Sequence, residues 1–342
     1  MGTTSSVWHS SGLPLLLERR DLPDHLIRAA VQDLTAGTFD DTEAAALLIA
    51  LRLKGEAASE IATAVEVLRG AMIRLRTETR PVLDTCGTGG DGTGTFNIST
   101  ATALVVAGTG TPVVKHGNRS VSSRSGSADV LAALGVPVES GPAWSQGCLE
   151  CSGFAFCFAP HFHPALAKVS VLRRKLGVRT IFNLVGPLLN PAGAEHQLLG
   201  VGRRELLDPM AGALARLGTG QALLVHGQDG LDEVSLSAPT LVRRVRDGSV
   251  ERLEWTPADF GLAPVEPGAL AADGPPASAE IVRLVLAGSD GPARRVVLAN
   301  AAAALLAADR VPALPEGVAL AARSIDSGAA RRVLERLARP PA

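Results

Sequence analysis

The sequence predicts an α/β fold class: a small α-helical domain followed by a large α/β domain around a central mixed, mostly parallel sheet. Three observations carry that reading. Apolar residues recur at helical spacing from Leu13 to about Arg80, and from Pro81 onward short β-like runs alternate with alanine-rich helical segments. A single late hairpin signal then interrupts the parallel pattern. At 342 residues the chain exceeds the usual single-domain size, so a large domain with a smaller partner is expected.

In the first part, Leu26, Ile27, Ala30, Val31 and Leu34 mark one helix, and Ala44 to Leu53 and Ile61 to Leu75 repeat the pattern. Thr42 is placed to cap the second helix, with Glu43 in its first turn and Gly55 at its end. Beyond Arg80, Pro81-Val82-Leu83-Asp84 and Pro112-Val113-Val114-Lys115 read as strands that each feed a loop and then a helix. Leu223-Leu224-Val225, ending in His226-Gly227, reads as another. Asp247-Gly248, between Leu241 to Val245 and Val250 to Leu253, is a hairpin turn that makes part of the sheet antiparallel. Pro264 to Pro276 looks like an irregular, exposed connection, and Val296 to Ala308 and Val318 to Ile325 are late helices.

Composition excludes several classes of function. Lys plus Arg (33) nearly balances Asp plus Glu (34), which removes the basic footprint of a nucleic-acid binder, so any anion site must be local. Four cysteines, Cys86, Cys148, Cys151 and Cys157, are too few for a disulfide scaffold. Cys148 and Cys151 form a C-x-x-C pair without the second pair that zinc would need, so they read as buried, inert thiols. The opening Met1 to Ser6 fits the formal myristoylation pattern, but no basic patch or second anchor supports it. No secretory signal is visible, and the run Val296 to Ala308, interrupted by Asn300, is too short to span a bilayer. A soluble cytoplasmic protein with no membrane partner is expected.

Two glycine-rich loops ask for an anion. Thr85 to Phe96 (TCGTGGDGTGTF) joins the first strand to a helix opened by Asn97-Ile98-Ser99-Thr100. Glycines let a chain approach a ligand closely, and the helix start adds unpaired N–H groups. Gly87, Gly89 and Gly92 spell G-x-G-x-x-G, yet nothing from Gly92 through Ala128 is Asp or Glu, so the ribose-holding acid of a dinucleotide fold is missing. A Walker loop fails for want of a Lys-Ser or Lys-Thr. The second loop, His116 to Ser127 (HGNRSVSSRSGS), follows Lys115. With that lysine it gathers two arginines and five serines and no neutralising carboxylate, which suits a phosphate ester, and Ser127 is placed to cap the next helix. After the strand ending at His226, the adjacent acids Asp232 and Glu233 sit on a loop where ligands gather. With a polyphosphate nearby they are candidate magnesium ligands.

Four runs in this order, Asp84 to Thr100 (DTCGTGGDGTGTFNIST), Lys115 to Gly135 (KHGNRSVSSRSGSADVLAALG), Arg173 to Pro191 (RRKLGVRTIFNLVGPLLNP) and His226 to Glu233 (HGQDGLDE), resemble the anthranilate phosphoribosyltransferase family over nearly the whole chain. The resemblance implies a nucleoside phosphorylase/phosphoribosyltransferase-like fold. Residues 1–80, with part of Lys168 to Asn190 returning to them, would form the helical domain; residues 81–167 and 191–342 would form the α/β domain. It further implies a homodimer formed through the helical domains and phosphoribosyl pyrophosphate (PRPP) bound in the hinge cleft.

By the same likeness, the PRPP contacts are Gly87, Gly90, Asp91, Thr95, Asn97, Ile98, Ser99 and Thr100 in the first loop. In the second they are Lys115, His116, Gly117, Asn118, Arg119, Ser120, Val121, Ser122, Ser123 and Ser127. Gly87, Asn118 and Arg173 would meet anthranilate, and Ser99, Asp232 and Glu233 would hold magnesium, two ions arriving with PRPP. Val171-Leu172 before Arg173 departs from the Pro-Val common in the family. Lys115 and Arg119 are expected to stabilise the departing pyrophosphate, with His116 near the attacking amine. The rival readings are a nucleoside phosphorylase and a non-catalytic relative that binds nucleic acid. The intact glycine loop and NIST segment oppose the first, and balanced charge with the retained acid pair opposes the second.

Overall fold

A computed structural model of the protein describes residues 8–120 and 125–339; Val121, Ser122, Ser123 and the Met1 to Ser6 pattern lie outside the described residues. Helices α1 (Asp24–Ala36), α2 (Asp41–Lys54) and α3 (Ala58–Gly70) form the small N-terminal domain. The stripe Leu26, Ile27, Ala30, Val31 and Leu34 is the buried face of α1, as its spacing requires.

Two details differ from expectation. The cap of α2 is Asp40, whose carboxylate accepts from the amides of Thr42 (2.7 Å) and Glu43 (2.8 Å), while the Glu43 side chain accepts from the Asp40 amide (3.0 Å). Thr42 is therefore already inside the helix, and the reciprocal pair is a capping box set two residues earlier. Helix α3 stops at Gly70, and Leu75 is buried in the following loop, where its amide donates to the Pro191 carbonyl at 3.1 Å.

The sheet has seven strands: β1 (Leu83–Gly87), β2 (Val113–Gly117), β3 (Phe154–Phe158), β4 (His196–Gly200), β5 (Gln221–Gly227), β6 (Thr240–Arg246) and β7 (Ser249–Trp255), in the order β3-β2-β1-β4-β5-β6-β7. The first five are parallel, and β6 and β7 add an antiparallel edge. Their turn puts Asp247 and Gly248 at φ 49° and 72°, the paired positive angles of a two-residue hairpin. From β1 the chain moves outward through β2 to β3, then returns beside β1 as β4. Strand order thus reverses between β1 and β4, and a crevice opens at their carboxyl ends.

Side chains alternate across the sheet. Leu198 and Leu223 enter a core shared with α4 (Ile98–Ala107) and a late helix, Pro292–Ala307; Leu199 and Leu224 enter another shared with Ile27, Leu48 and Ile61 of the N-terminal helices. That second core also takes in Val169 and Leu172 of Ala167–Leu176, a helix that touches both α1 and α2.

The stretch from Pro264 to Pro276 is irregular as far as Asp273 and mostly exposed, as expected, but it is pinned at three points and ends inside a helix. Val265, Leu270 and Ala272 are buried, Ala271 bridges Thr95, and Pro275 and Pro276 belong to the first turn of the helix Gly274–Leu286. Prolines are suited to a first turn because its amides lack helical partners in any case. Of the C-x-x-C pair, Cys148 is buried but Cys151 is exposed at the end of its helix, Gly141–Ser152.

Candidate active site

Strand β1 runs straight into the first glycine loop, whose Gly89, Gly90, Gly92 and Gly94 all take positive φ, from 61° to 76°. A side chain at these positions would strain the backbone, so the glycines fix the loop's shape. Its near end is braced on β4: the Thr88 amide donates to the Gly200 carbonyl (2.8 Å), and the Gly202 amide donates to the Thr88 hydroxyl (2.9 Å). The far end is held by the pinned stretch around Ala271 described above. The Phe96 amide donates to Leu270 (2.9 Å) and the Ala272 amide to Gly94 (3.0 Å), on either side of the Thr95–Ala271 bridge.

Asn97 then caps α4, its side-chain oxygen accepting from the Thr100 amide at 3.1 Å. Its own amide donates to the Ser278 hydroxyl (2.9 Å). Ile98 is buried in the core, so only its backbone can meet a ligand.

The acid pair converges on this loop from β5. The Gly89 amide donates to Asp232 Oδ2 at 3.0 Å, and a Cβ on Gly87 would lie 2.9 Å from the same oxygen. Gly87 is thus the close-approach position that only glycine fills. Glu233 is buried and accepts from the Ser99 amide. Lys115 is buried too. Its ammonium donates to the Thr85 carbonyl and to Ser99 Oγ (3.0 Å), and it acts on Glu233 through its charge.

Burial pushes the Asp232 carboxyl up to about 7, with Asp91 alongside adding to the rise; Glu233 is pushed up by burial and by Asp232. Lys115 beside Glu233 and Arg179 beside Asp232 offset that rise only in part. Among the described residues no three His, Cys, Asp or Glu side chains enclose a metal unaided. Two acids beside a phosphate loop instead fit magnesium, a hard cation that takes one or two carboxylates and completes its shell with phosphate oxygens and water.

The second loop departs from expectation. No neutralising carboxylate lies within it, yet Arg119 is paired with Asp129 (2.9 Å) and Glu139. Those acids lie beyond the loop in sequence but fold back on it. The helix Ser127–Ala133 is preceded by Gly126 as its cap, so Ser127 is its first residue, not the cap. Asp129 supplies the missing acceptor, taking the amides of Ser120 (2.9 Å) and Gly126 (3.2 Å). Ser127 Oγ occupies the space where Gly117 would carry a Cβ. Asn118 is exposed; its side chain accepts from the Arg119 amide at 2.8 Å.

His116 faces His163 with their Nε2 atoms 3.1 Å apart. Burial drives the two imidazoles down to about 3 and about 4, so both are neutral near pH 7. Arg173 lies over the Phe182 ring, 5.8 Å from its centroid, where burial and the nearby Arg179 hold its guanidinium below the ordinary value. The structure therefore joins Gly87, Ser99, Lys115, Asp232 and Glu233 by direct contact. Arg119 and Asn118 bond within the second loop and the helices beside it.

Sequence reasoning assigns no role to three groups. Arg179 donates to the Thr88 carbonyl (2.7 Å), lies against Gly90 and feels Asp232 and Asp91. Its signal is its place inside the Arg173 to Pro191 run. Gly200 and Gly202 leave room for the Asp232 and Gly89 backbones. Buried Asp84, raised to about 6 by desolvation, accepts from Asn190 (2.7 Å) and from the His116 amide (3.3 Å), tying β1 and β2 to the segment after Arg173.

Residues 14–72 match the helical bundle domain of a glycosyl transferase family, and residues 79–331 match its a/b domain. The anthranilate phosphoribosyltransferase of Symbiobacterium thermophilum is 49% identical over 320 residues, covering 94% of each chain; that of Thermomicrobium roseum is 53% identical over 312 residues, covering 90% of each. The crystal structure of the Thermus thermophilus enzyme has a TM-score of 0.88 at 44% identity, over 95% of this chain and 98% of that one. The Saccharomyces cerevisiae enzyme in complex with PRPP and Mg has a TM-score of 0.89 at 30% identity, over 98% of both chains. Matched along nearly its whole length by sequence and by fold, the chain belongs to the anthranilate phosphoribosyltransferase family.

Proposed function

We propose that the crevice at the carboxyl ends of β1, β2 and β4 transfers the phosphoribosyl group of PRPP to the amine of anthranilate, giving N-(5-phosphoribosyl)anthranilate and pyrophosphate in tryptophan biosynthesis. The observation that carries this reading is the meeting of Asp232 and Glu233 with Ser99, Lys115 and the Gly87–Gly89 backbone. Related structures with PRPP and Mg, and with 4-fluoroanthranilate, support the choice of ligands.

Asp232, Glu233 and Ser99 would hold Mg2+, two ions in all, which supplies charge neutralisation for the leaving diphosphate. The first loop, through Gly87, Gly90, Asp91, Thr95 and Asn97 to Thr100, surrounds PRPP from one side. Lys115, Gly117, Asn118, Arg119, Ser120 and Ser127 do so from the other. The anthranilate amine is an aromatic amine, neutral at pH 7, and needs no strong base. Its lone pair forms the new C–N bond as the bond to pyrophosphate breaks, and negative charge grows on the departing oxygens. Loop amides, Lys115 and Arg119 stabilise that charge, which makes positioning and leaving-group stabilisation the main sources of rate. Arg173, Asn118 and Gly87 orient anthranilate, Arg173 through its carboxylate. Neutral His116 sits beside the amine.

Residues 1–80 with part of 168–190 form one domain, and 81–167 with 191–342 the other; closure between them excludes the water that competes for the anomeric carbon. The enzyme works as a cytoplasmic homodimer. Incubation with PRPP, Mg2+ and anthranilate, following loss of anthranilate fluorescence, tests the reading; fluorescence that holds steady rejects it.

A further inference from the structure

A second buried carboxylate lies close to the site, and the mechanism does not use it. Glu56, just past the end of α2, is only 4% exposed, and neither of its oxygens accepts a hydrogen bond from another residue. A buried carboxylate without a partner is costly, and its retention calls for a partner that arrives in another state. Lys54 is engaged elsewhere, with Asp21 (2.6 Å) and Glu60 (2.8 Å). Glu56 lines one small cavity together with Arg52, Arg179, Thr180, Asn183 and Arg203. Arg203 is paired with Glu205. Arg179 is the cavity residue that also reaches the catalytic loop. It rides on the short link 177–180, and its guanidinium meets Thr88 and Gly90 and is drawn by Asp232 and Asp91.

We infer that Arg179 is a positioning residue with two berths: one against Thr88 and the Asp91–Asp232 pair, as seen here, and one on the Glu56 carboxylate, taken when a metal ion claims Asp232. The inference rests on Asp232 and Glu233 being the metal acids. In the first berth the guanidinium competes with metal for Asp232. Transfer to Glu56 removes that competition and satisfies the buried acid in one movement. The two events are then linked, so each favours the other by the same factor. Because Arg179 lies on the segment that returns to the helical domain, the move also couples substrate charge to the relation between the domains.

The test is a calorimetric titration of the full-length enzyme with Mn2+, without PRPP, alongside thermal unfolding to confirm folding. Relative to the parent, Arg179→Gln is expected to bind Mn2+ about fivefold more tightly and Glu56→Gln about fivefold more weakly, and the double variant should match Arg179→Gln. Arg179→Lys should stay near the parent. Should Glu56→Gln fail to fold, Glu56→Asp, which draws the charge back from the cavity, takes its place in the same cycle. Parental Mn2+ affinity in the Glu56 variant, or additive effects of the two substitutions, overturns the two-berth assignment. Asp232→Asn is the reference: if it binds Mn2+ as the parent does, the metal assignment fails and the inference with it; if it binds weakly while the Glu56 variant does not, only the inference fails.

Discussion

The two walls of the cleft hold charge in opposite ways. On the β5 side, Asp232 and Glu233 are packed among protein atoms, the first raised by burial and by Asp91, the second by burial and by Asp232. On the β2 side, Arg119 is exposed and already satisfied by Asp129 and Glu139. The acid wall is preorganised and only partly offset by Lys115 and Arg179, so on the proposed reading a metal ion supplies the remaining positive charge. If PRPP binds as proposed, the cationic wall exchanges one set of anions for another, and that exchange is cheap because exposed pairs are worth little. On the proposed reading, affinity for the metal is built into the fold, whereas affinity for the phosphates is a difference between two similar states.

The contrast breaks most readily at the acids. Asp232→Asn with Glu233→Gln is expected to lower kcat by about 100- to 1,000-fold at limiting Mg2+, the scale of lost leaving-group stabilisation. Steady-state rates across a magnesium series check it, and an unchanged magnesium dependence removes the pair from the site. Next comes the aromatic substrate. Arg173→Ala is expected to raise KM for anthranilate about 10- to 100-fold, corresponding to a charged hydrogen bond of roughly 1.5–3 kcal/mol, while KM for PRPP stays near the parent value. Equal KM values for anthranilate in variant and parent would reject that placement.

A third expectation concerns His116 and His163 between the walls. Their imidazoles are held down to about 3 and about 4 in the native protein, against an ordinary value of 6.5. The unfolded chain therefore takes up protons before the native one as pH falls. Stability present above about pH 6.5 should be lost toward pH 4, at a slope of about 1.4 kcal/mol per pH unit for each imidazole. Urea unfolding at pH 7, 6 and 5 measures it, and His163→Gln should flatten the slope. Last and smallest, Glu139→Gln loosens Arg119 from one partner and should lower KM for PRPP by no more than about threefold. A rise in that KM would mean that the pairing presents Arg119 to the substrate and does not restrain it.

How much of this is legible in the sequence depends on how local each signal is. The α1 stripe is legible because helical burial repeats within a few residues, and the Asp247-Gly248 turn because its backbone angles demand those residue types. Asp232 and Glu233 are visible as loop acids. Their contact with Ser99 and Lys115 is not, since residues over a hundred positions apart meet only through the β2-β1-β4-β5 order. Arg119 misleads because its neutralising partners, Asp129 and Glu139, fall just past the end of its loop. The α2 cap slips by two positions because Asp40, Asp41 and Thr42 all suit a helix start, and only geometry selects among them. Arg179 stands in the right run with nothing in its own neighbourhood to set it apart.

The bridge between Thr95 and Ala271 makes the glycine run a strap stitched at its trailing hem. With its leading end already fastened to β4, such a strap is held at both ends of the crevice. The short stretch around Ala271, far from the acid pair in sequence, thereby helps to set where the glycine run lies. Lengthening that remote seam is expected to displace the glycine run while every chemical group of the site is kept.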